Sequence, residues 1–258
     1  MNIYDEDKLV QLEQDEHEIT EEALSFMFME LTFSYIELEK ELRNFYQKYG
    51  KDGIVTYAEA RKWVSDKKRQ KRINVLLATI TVLFGRMSTK LSAEFGWMVN
   101  KTIIEELRFF ELLDKIDVKD IPLKWGFDKF TWRERLENDV FKWTAQIRAD
   151  VKQGILQRKH LDEILEGLTK RFESIETVLE ALGISETSAV GSLARNQIFK
   201  ELGISEYKIY TREDERRCKL CGTMHGKVFP MVEYEPGVTA SPFHTRCRCW
   251  EVPLRPKN

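Results

Sequence analysis

All four cysteines of this 258-residue chain lie in two short segments near its C-terminus, and this clustering limits how the tail can fold. The first segment is Cys218-Lys-Leu-Cys221, and the second is His244-Thr-Arg-Cys247-Arg-Cys249. Two residues between cysteines let both thiolates converge on one zinc ion, and His244-x-x-Cys247 offers a second converging pair. Because structural zinc takes four ligands, the predicted set is four of Cys218, Cys221, His244, Cys247 and Cys249.

The segment that carries these cysteines is predicted to be a small β module. After Gly203 the helical periodicity stops, and Tyr207-Lys-Ile-Tyr-Thr211 alternates as a strand does. A module of about fifty residues buries too little apolar surface to be stable alone, so a structural Zn²⁺ is the predicted cross-link. The alternative is four reduced cysteines packed as small apolar side chains, or an adventitious disulfide.

Polar residues near the cysteines are candidates for supporting the metal. Asp214 and Arg216 precede Cys218 and could orient a ligand or pair across the module, the alternative being simple surface charges. His225 is a weaker ligand candidate, because the adjacent Gly226 predicts a turn that would expose the ring.

The chain before the tail is predicted to be helical. Apolar residues recur every three or four positions from Leu24 to Tyr49, and Phe26, Phe33 and Ile36 widen that face, which predicts a helix packed within a bundle. The pattern Thr131-x-x-Glu134 is a capping box that predicts the start of another long helix. Further helices are expected over residues 73–87, 90–113, 160–182 and 186–202, the last with Ser185 as its N-cap.

The predicted fold class is therefore mainly α, a helical bundle followed by a small C-terminal α+β module held by zinc. The predicted divisions are an acidic N-terminal arm (1–19), an N-terminal helical region (20–121), a second helical region (122–204) and the β module with the Cys/His cluster (205–258).

Composition and motifs exclude several functions. The formal net charge is only -2 although 33% of residues are charged, so no global basic field for nucleic acid exists. Walker, GxGxxG, GxSxG and HExxH motifs are absent, and no enzyme activity is predicted. Two alternatives stay open: a nucleic-acid-binding protein that uses the basic run Lys67–Arg72 and the tail arginines, and a metal-dependent hydrolase or transferase.

The chain is predicted to be soluble and intracellular, without membrane contact. It opens with Met-Asn-Ile-Tyr-Asp-Glu-Asp, which lacks the apolar core of a signal peptide. Its most apolar run, Ile73–Gly85, is shorter than the ~20 residues that a membrane span needs.

The tail resembles a known family. Asp214-x-Arg216-x-Cys218-x-x-Cys221, then His225-Gly226-Lys-Val-Phe229, then Pro242-x-His244-x-x-Cys247-Arg-Cys249 is similar to the C-terminal signature of tailed-phage minor head proteins, the Mu F-like head morphogenesis family. The resemblance extends from about residue 20 to 254 and includes Trp132-x-Glu134-Arg135, Gln153-Gly154 and Ser185-Glu186-Thr187. The family more often has Asp-Gly where His225-Gly226 stands and Arg-Thr-Glu where Ile184-Ser-Glu186 stands.

This resemblance implies a few-copy virion protein at the portal vertex or capsid interior, present in the host cytoplasm during assembly. It implies binding to the phage portal protein and a part in procapsid assembly and in DNA packaging, delivery or ejection. The scaffolding protein, the major capsid protein and DNA are further candidate partners.

Overall fold

A computed structural model describes residues 6–56 and 67–254, and four long helices account for most of that part of the chain. They are α1 (Glu6–Tyr49), α2 (Lys67–Phe109), α3 (Trp132–Leu156) and α4 (Leu161–Glu201). A short helix, α5 (Lys219–Met224), lies in the tail. The predicted mainly α fold class is confirmed.

The strands form two small antiparallel sheets. The hairpin β1 (Gly50–Lys51) and β2 (Ile54–Val55) follows α1. In the tail, β3 (Glu206–Thr211) is the central strand between β4 (Val228–Pro230) and β5 (Cys249–Pro253). The register pairs Tyr207 with Phe229 of β4 and Thr211 with Cys249 of β5. The strand predicted over residues 207–211 is thus present as the central strand of this sheet.

The chain divides into two compact units, each made of segments that are distant in sequence. Unit 1 comprises Met1–Ser25, Glu94–Arg135 and Glu180–Asn258, and unit 2 comprises Phe26–Ala93 and Leu136–Leu179. The four predicted ranges instead follow one another in chain order. Among the described residues of unit 2, Leu38, Ile80 and Ile147 are buried, and in unit 1 the rings of Phe95 and Trp132 stack 5.9 Å apart.

Two helix boundaries were predicted correctly from local chemistry. The Thr131 backbone N–H donates to Glu134 Oε2 at 2.7 Å, and the Glu134 N–H donates back to Thr131 Oγ1 at 3.3 Å, which completes the capping box before α3. Gly203 has φ 66° just after α4, a left-handed conformation that glycine adopts without strain.

Several expectations about the helices were wrong. Residues 6–19, placed in a loose arm, are helical, and Leu9, Leu12 and Ile19 are buried there because they recur at helical spacing among the acidic residues. The helices expected over 73–87 and 90–113 are parts of α2, and those over 160–182 and 186–202 are parts of α4. Ser185 is therefore no N-cap: its Oγ donates to the Ala181 carbonyl at 2.7 Å inside α4.

The wide apolar face of α1 is only partly buried. Leu24, Leu31 and Leu38 lie in the core, as predicted, but Phe26, Phe33 and Ile36 are each about half exposed. The apolar residues of α1 therefore form two stripes, and only one of them is covered by the described part of the chain.

By length and composition alone, helix α2 is long and apolar enough to cross a membrane. No other helix in the described ranges passes the same test. Its buried side chains include Ile80, Phe84 and Leu91, while Arg86 and Lys90 are exposed. This separation of a buried apolar face from an exposed charged one is typical of a core helix.

Candidate metal centre

The first candidate ligand pair sits at the start of α5. Cys218 is the N-cap of that helix, and its Sγ accepts the backbone N–H of Cys221 at 3.4 Å. That N–H is the main reason why the pKa of the Cys218 thiol is lowered, since it stabilises the thiolate. The turn therefore prepares Cys218, which is exposed, to bind a cation.

The His244 ring is oriented toward both of these thiols. Its Nε2 lies 3.2 Å from Cys218 Sγ and 3.0 Å from Cys221 Sγ. On the other side of the ring, Nδ1 lies 2.7 Å from the Thr245 carbonyl oxygen, which can only accept. Nδ1 therefore donates to Thr245, and Nε2 is the ring nitrogen that faces the sulfurs and could bind a metal, as in metal-ligating histidines.

The second cysteine pair is buried beside the first. Cys247 and Cys249 are 1% and 3% exposed, and Cys247 Sγ lies 3.9 Å from Cys221 Sγ. A hydrogen bond from the Cys249 thiol lowers the pKa of Cys247 to about 6, whereas the pKa of Cys249 is raised. Burial raises the pKa of Cys221 to about 12, so ionisation of that thiol needs a nearby cation.

Five candidate ligands thus converge as two overlapping groups. Cys218, Cys221 and His244 form one, Cys221, Cys247 and Cys249 form the other, and in each the ligand atoms lie within 4.8 Å of one another. Thiolates and a neutral imidazole nitrogen are the donors that zinc prefers. The cluster could therefore hold a metal ion.

Asp214 contacts the cysteine segment indirectly, through Arg248. Its two carboxylate oxygens accept from Arg248, from NH1 at 2.6 Å and from NH2 at 2.7 Å, and Arg248 stands between Cys247 and Cys249 in sequence. This bidentate pair lowers the pKa of Asp214 to about 2. The Arg216 backbone N–H donates to the same carboxylate at 3.0 Å. Asp214 therefore connects the loop before Cys218 to the segment that carries Cys247 and Cys249.

His225 is not part of the cluster. It follows α5, its Nδ1 accepts the Thr211 backbone N–H at 3.3 Å, and its ring packs edge-on against Tyr210. This ring orders the end of β3.

The cluster is anchored to α4. The Arg246 backbone N–H donates to Ser185 Oγ at 3.0 Å, and the Arg246 guanidinium pairs with Glu180 at 2.6 Å. The sequence predicted Ser185 as a helix N-cap. In the structure its hydroxyl instead accepts a hydrogen bond from the loop between His244 and Cys247.

A buried ionic cluster was missed altogether. Arg195 of α4 donates from Nε to Glu251 of β5 at 3.0 Å, pairs with Glu106 of α2 and lies 3.7 Å from Glu16 of α1. All four side chains are at most 8% exposed. Burial raises the pKa of Glu16 well above its ordinary value, and burial also raises the pKa of Glu106.

A second set of hydrogen bonds joins the motif Trp132-x-Glu134-Arg135 to the motif Ser185-Glu186-Thr187. Arg135 donates from NH1 to Glu186 at 2.8 Å and from NH2 to the Trp125 carbonyl at 2.8 Å. Trp125 Nε1 also donates to Glu186 at 2.8 Å. Glu186 is fully buried, so this pairing fixes the entry to α3 against α4.

Four of the five tail arginines of the nucleic-acid alternative pair with carboxylates, whereas the Arg216 side chain makes no ion pair with the described residues. Arg212 pairs with Glu13, Arg217 with Glu213, Arg246 with Glu180 and Arg248 with Asp214. Arginines already neutralised in this way offer less charge to a phosphate backbone. In the run Lys67–Arg72, the Arg72 guanidinium lies 4.7 Å from the ring centroid of Tyr49.

Comparison with known proteins supports the resemblance. Residues 145–252 match a family described as Phage Mu protein F like protein, and that range includes all five candidate ligands, Glu186 and Arg195. Comparisons with curated proteins and with solved structures gave no match. This family is one of head morphogenesis proteins, which are structural components and interact with other parts of the phage head. The predicted recognition is confirmed: residues 145–252 of this chain carry the region that defines the phage Mu F-like head morphogenesis family.

Proposed function

We propose that this protein is a minor head protein of a tailed phage that binds the portal protein and acts in procapsid assembly and in DNA packaging or delivery. The family match over residues 145–252 carries this proposal, and it coincides with the part of the chain that holds the Cys/His cluster. The tail is accordingly the proposed docking module, located at the portal vertex or capsid interior of the virion.

A structural zinc ion is the proposed cofactor, with Cys218, Cys221, His244 and Cys247 as its ligands. A tetrahedral site with Zn–S bonds of about 2.3 Å has sulfurs about 3.8 Å apart. The 3.9 Å between the Cys221 and Cys247 sulfurs fits that edge. His244 Nε2 faces the sulfurs of Cys218 and Cys221, which supports its place in the set.

Cys249 is the proposed fifth thiol, outside the coordination sphere. In this role a protonated Cys249 would donate a hydrogen bond to the sulfur of Cys247, its neighbour in the same ligand group. A hydrogen bond of that kind stabilises a ligand thiolate from outside the coordination sphere, as second-shell groups do. Asp214 and Arg216 support the site indirectly, because Asp214 holds Arg248 between the two cysteines.

The proposed role of the zinc ion is to hold two segments of unit 1 together. It would join the turn at Cys218–Cys221 to the loop before β5 that carries His244 and Cys247. Four protein ligands leave no position for a water nucleophile, so the site supports a structural role better than a hydrolytic one. The proposal therefore includes no enzymatic activity.

The experiment is co-purification with the portal protein of the same phage. The full-length chain, loaded with zinc, is expected to be retained on the tagged portal protein at physiological salt. The variant Cys218→Ser with Cys221→Ser is expected to lose that retention, because its docking module lacks the metal. Cys249→Ala is the matched control, and it should keep both zinc and retention.

Zinc content of each variant is measured first, so that a folding defect is recognised separately from a docking defect. A zinc-loaded wild-type chain that is not retained by the portal protein would refute portal association. Retention of the double serine variant at the wild-type level would instead refute the docking role of the tail.

A further inference from the structure

One face of α1 is apolar and uncovered in the described part of the chain. Phe26, Met29, Phe33 and Ile36 are 45%, 45%, 53% and 53% exposed. Their spacing of three, four and three residues places them in a single stripe on the helix, on the side away from buried Leu24, Leu31 and Leu38. Four large apolar side chains in one row are more than isolated surface residues, and such patches mark interaction sites.

The two ends of this stripe carry opposite charges. Continuing toward the N-terminus at helical spacing, the same face has Glu22 and then Glu18, both exposed. Continuing toward the C-terminus, it has Lys40 and then Arg43, also exposed. All of these residues lie on α1, so the face is defined by helical spacing along one helix. We call the row from Glu18 to Arg43 the α1 face.

Two of these charged groups have no partner in the described part of the chain. Among the residues described, Glu22 and Lys40 make no hydrogen bond or ion pair, whereas Arg43 pairs with Glu39 on its own helix at 2.6 Å. Their charges are therefore available to a partner.

We propose that the α1 face pairs with the α1 face of a second copy of this chain, antiparallel about a two-fold axis. An axis midway between Met29 and Phe33 places Phe26 opposite Ile36 and Met29 opposite Phe33. The same axis places Glu22 opposite Lys40, with Glu18 beside Arg43. Every contact occurs twice, as a two-fold interface requires.

Charge order selects this partner and this direction. A parallel pair in register would put Glu22 against Glu22 and Lys40 against Lys40, which like charges disfavour. In an antiparallel pair the acidic end of each α1 face lies against the basic end of the other, and the apolar centres meet. A second copy of the chain is therefore a complementary partner. From residue 18 to residue 43 the face runs ~38 Å at ~1.5 Å per residue, long enough for an interface between helices.

Sedimentation velocity of the full-length chain over a concentration series tests the proposal. The wild-type mass is expected to rise from 30.5 kDa toward twice that value. Phe26→Glu with Phe33→Glu is expected to stay monomeric over the same range while keeping the wild-type helical circular dichroism. Phe141→Glu is the matched control, because Phe141 is 76% exposed on α3 and lies outside the face, and it should associate as the wild type does.

Charge reversal tests the direction of pairing. Lys40→Glu with Arg43→Glu is expected to weaken association at least about 10-fold, and adding Glu18→Lys with Glu22→Lys in the same chain should restore it to within about threefold of wild type. A wild-type chain that stays monomeric, a Phe26/Phe33 variant that associates as strongly as wild type, or a fourfold charge variant that is not restored would each overturn the proposal.

Discussion

Replacing Cys221 with serine is expected to abolish metal binding and to open the tail to protease. Cys221 belongs to both groups of candidate ligands, so its loss removes a donor atom from each group. Structural zinc contributes about 10–16 kcal/mol of apparent binding free energy in small modules, far more than a single packing contact. The loops over residues 212–226 and 241–249 should lose order, and trypsin should cut after Arg216, Arg217 and Lys219, which are exposed there.

The long helices should survive this change. The helical circular dichroism signal is expected to stay within a few per cent of wild type, because the cores of α1 to α4 are built from apolar side chains far from the thiols in sequence. Cys249→Ala is the control, and its tail should resist trypsin as the wild type does. Equal resistance of the Cys221→Ser tail would contradict the cross-linking role.

Replacing Arg195 with methionine is expected to lower the free energy of unfolding by about 3–5 kcal/mol or more. Methionine fills much of the same volume but leaves Glu106 and Glu251 buried without their cation. Urea denaturation followed by circular dichroism measures the loss.

Arg171→Met is the matched control for that measurement. Arg171 also lies on α4 and pairs with Asp150 at 3.0 Å, but both side chains are more than a third exposed. Exposed pairs contribute a median of about 0–1 kcal/mol, so this variant should unfold close to wild type. If the two arginine variants lose equal stability, the buried cluster does not hold unit 1 together as described.

Local chemistry made parts of the fold predictable. The capping box at Thr131 and Glu134, the glycine stop at Gly203 and the alternation from Tyr207 to Thr211 depend on neighbouring residues alone, and each was found from the sequence. The β1–β2 hairpin could have been found in the same way. Its turn is Asp52-Gly53, with φ 52° and 73°, which is a frequent hairpin signal.

Other features depend on contacts that no local pattern encodes. Ser185 suggested a break in α4, but its hydroxyl serves the tail, and an added side chain at nearby Gly183 would meet Leu24. Both residues are small or polar because of what packs against the helix. Likewise, Phe33 and Leu38 are both large apolar residues on α1, and only tertiary contacts decide which one is buried.

The buried charges were the least predictable feature. Glu16, Glu106, Arg195 and Glu251 lie in four different elements, and in sequence each looks like a surface residue of its helix or strand. The metal centre was easier to predict, because the spacing of the cysteines along the chain indicates which side chains can converge on one ion. The sequence left five candidates for four positions, and the structure groups Cys249 with Cys221 and Cys247, so its place outside the coordination sphere is a proposal.

The most direct test of the proposed zinc site is zinc X-ray absorption on the full-length chain purified under reducing conditions, with zinc content measured on the same sample. The account predicts one zinc per chain, bound by three sulfurs at about 2.3 Å and one nitrogen at about 2.0–2.1 Å. Cys249→Ala should leave that spectrum unchanged, and His244→Cys should shift it to four sulfurs. A chain that holds no zinc while its tail stays resistant to trypsin under reducing conditions would contradict the account.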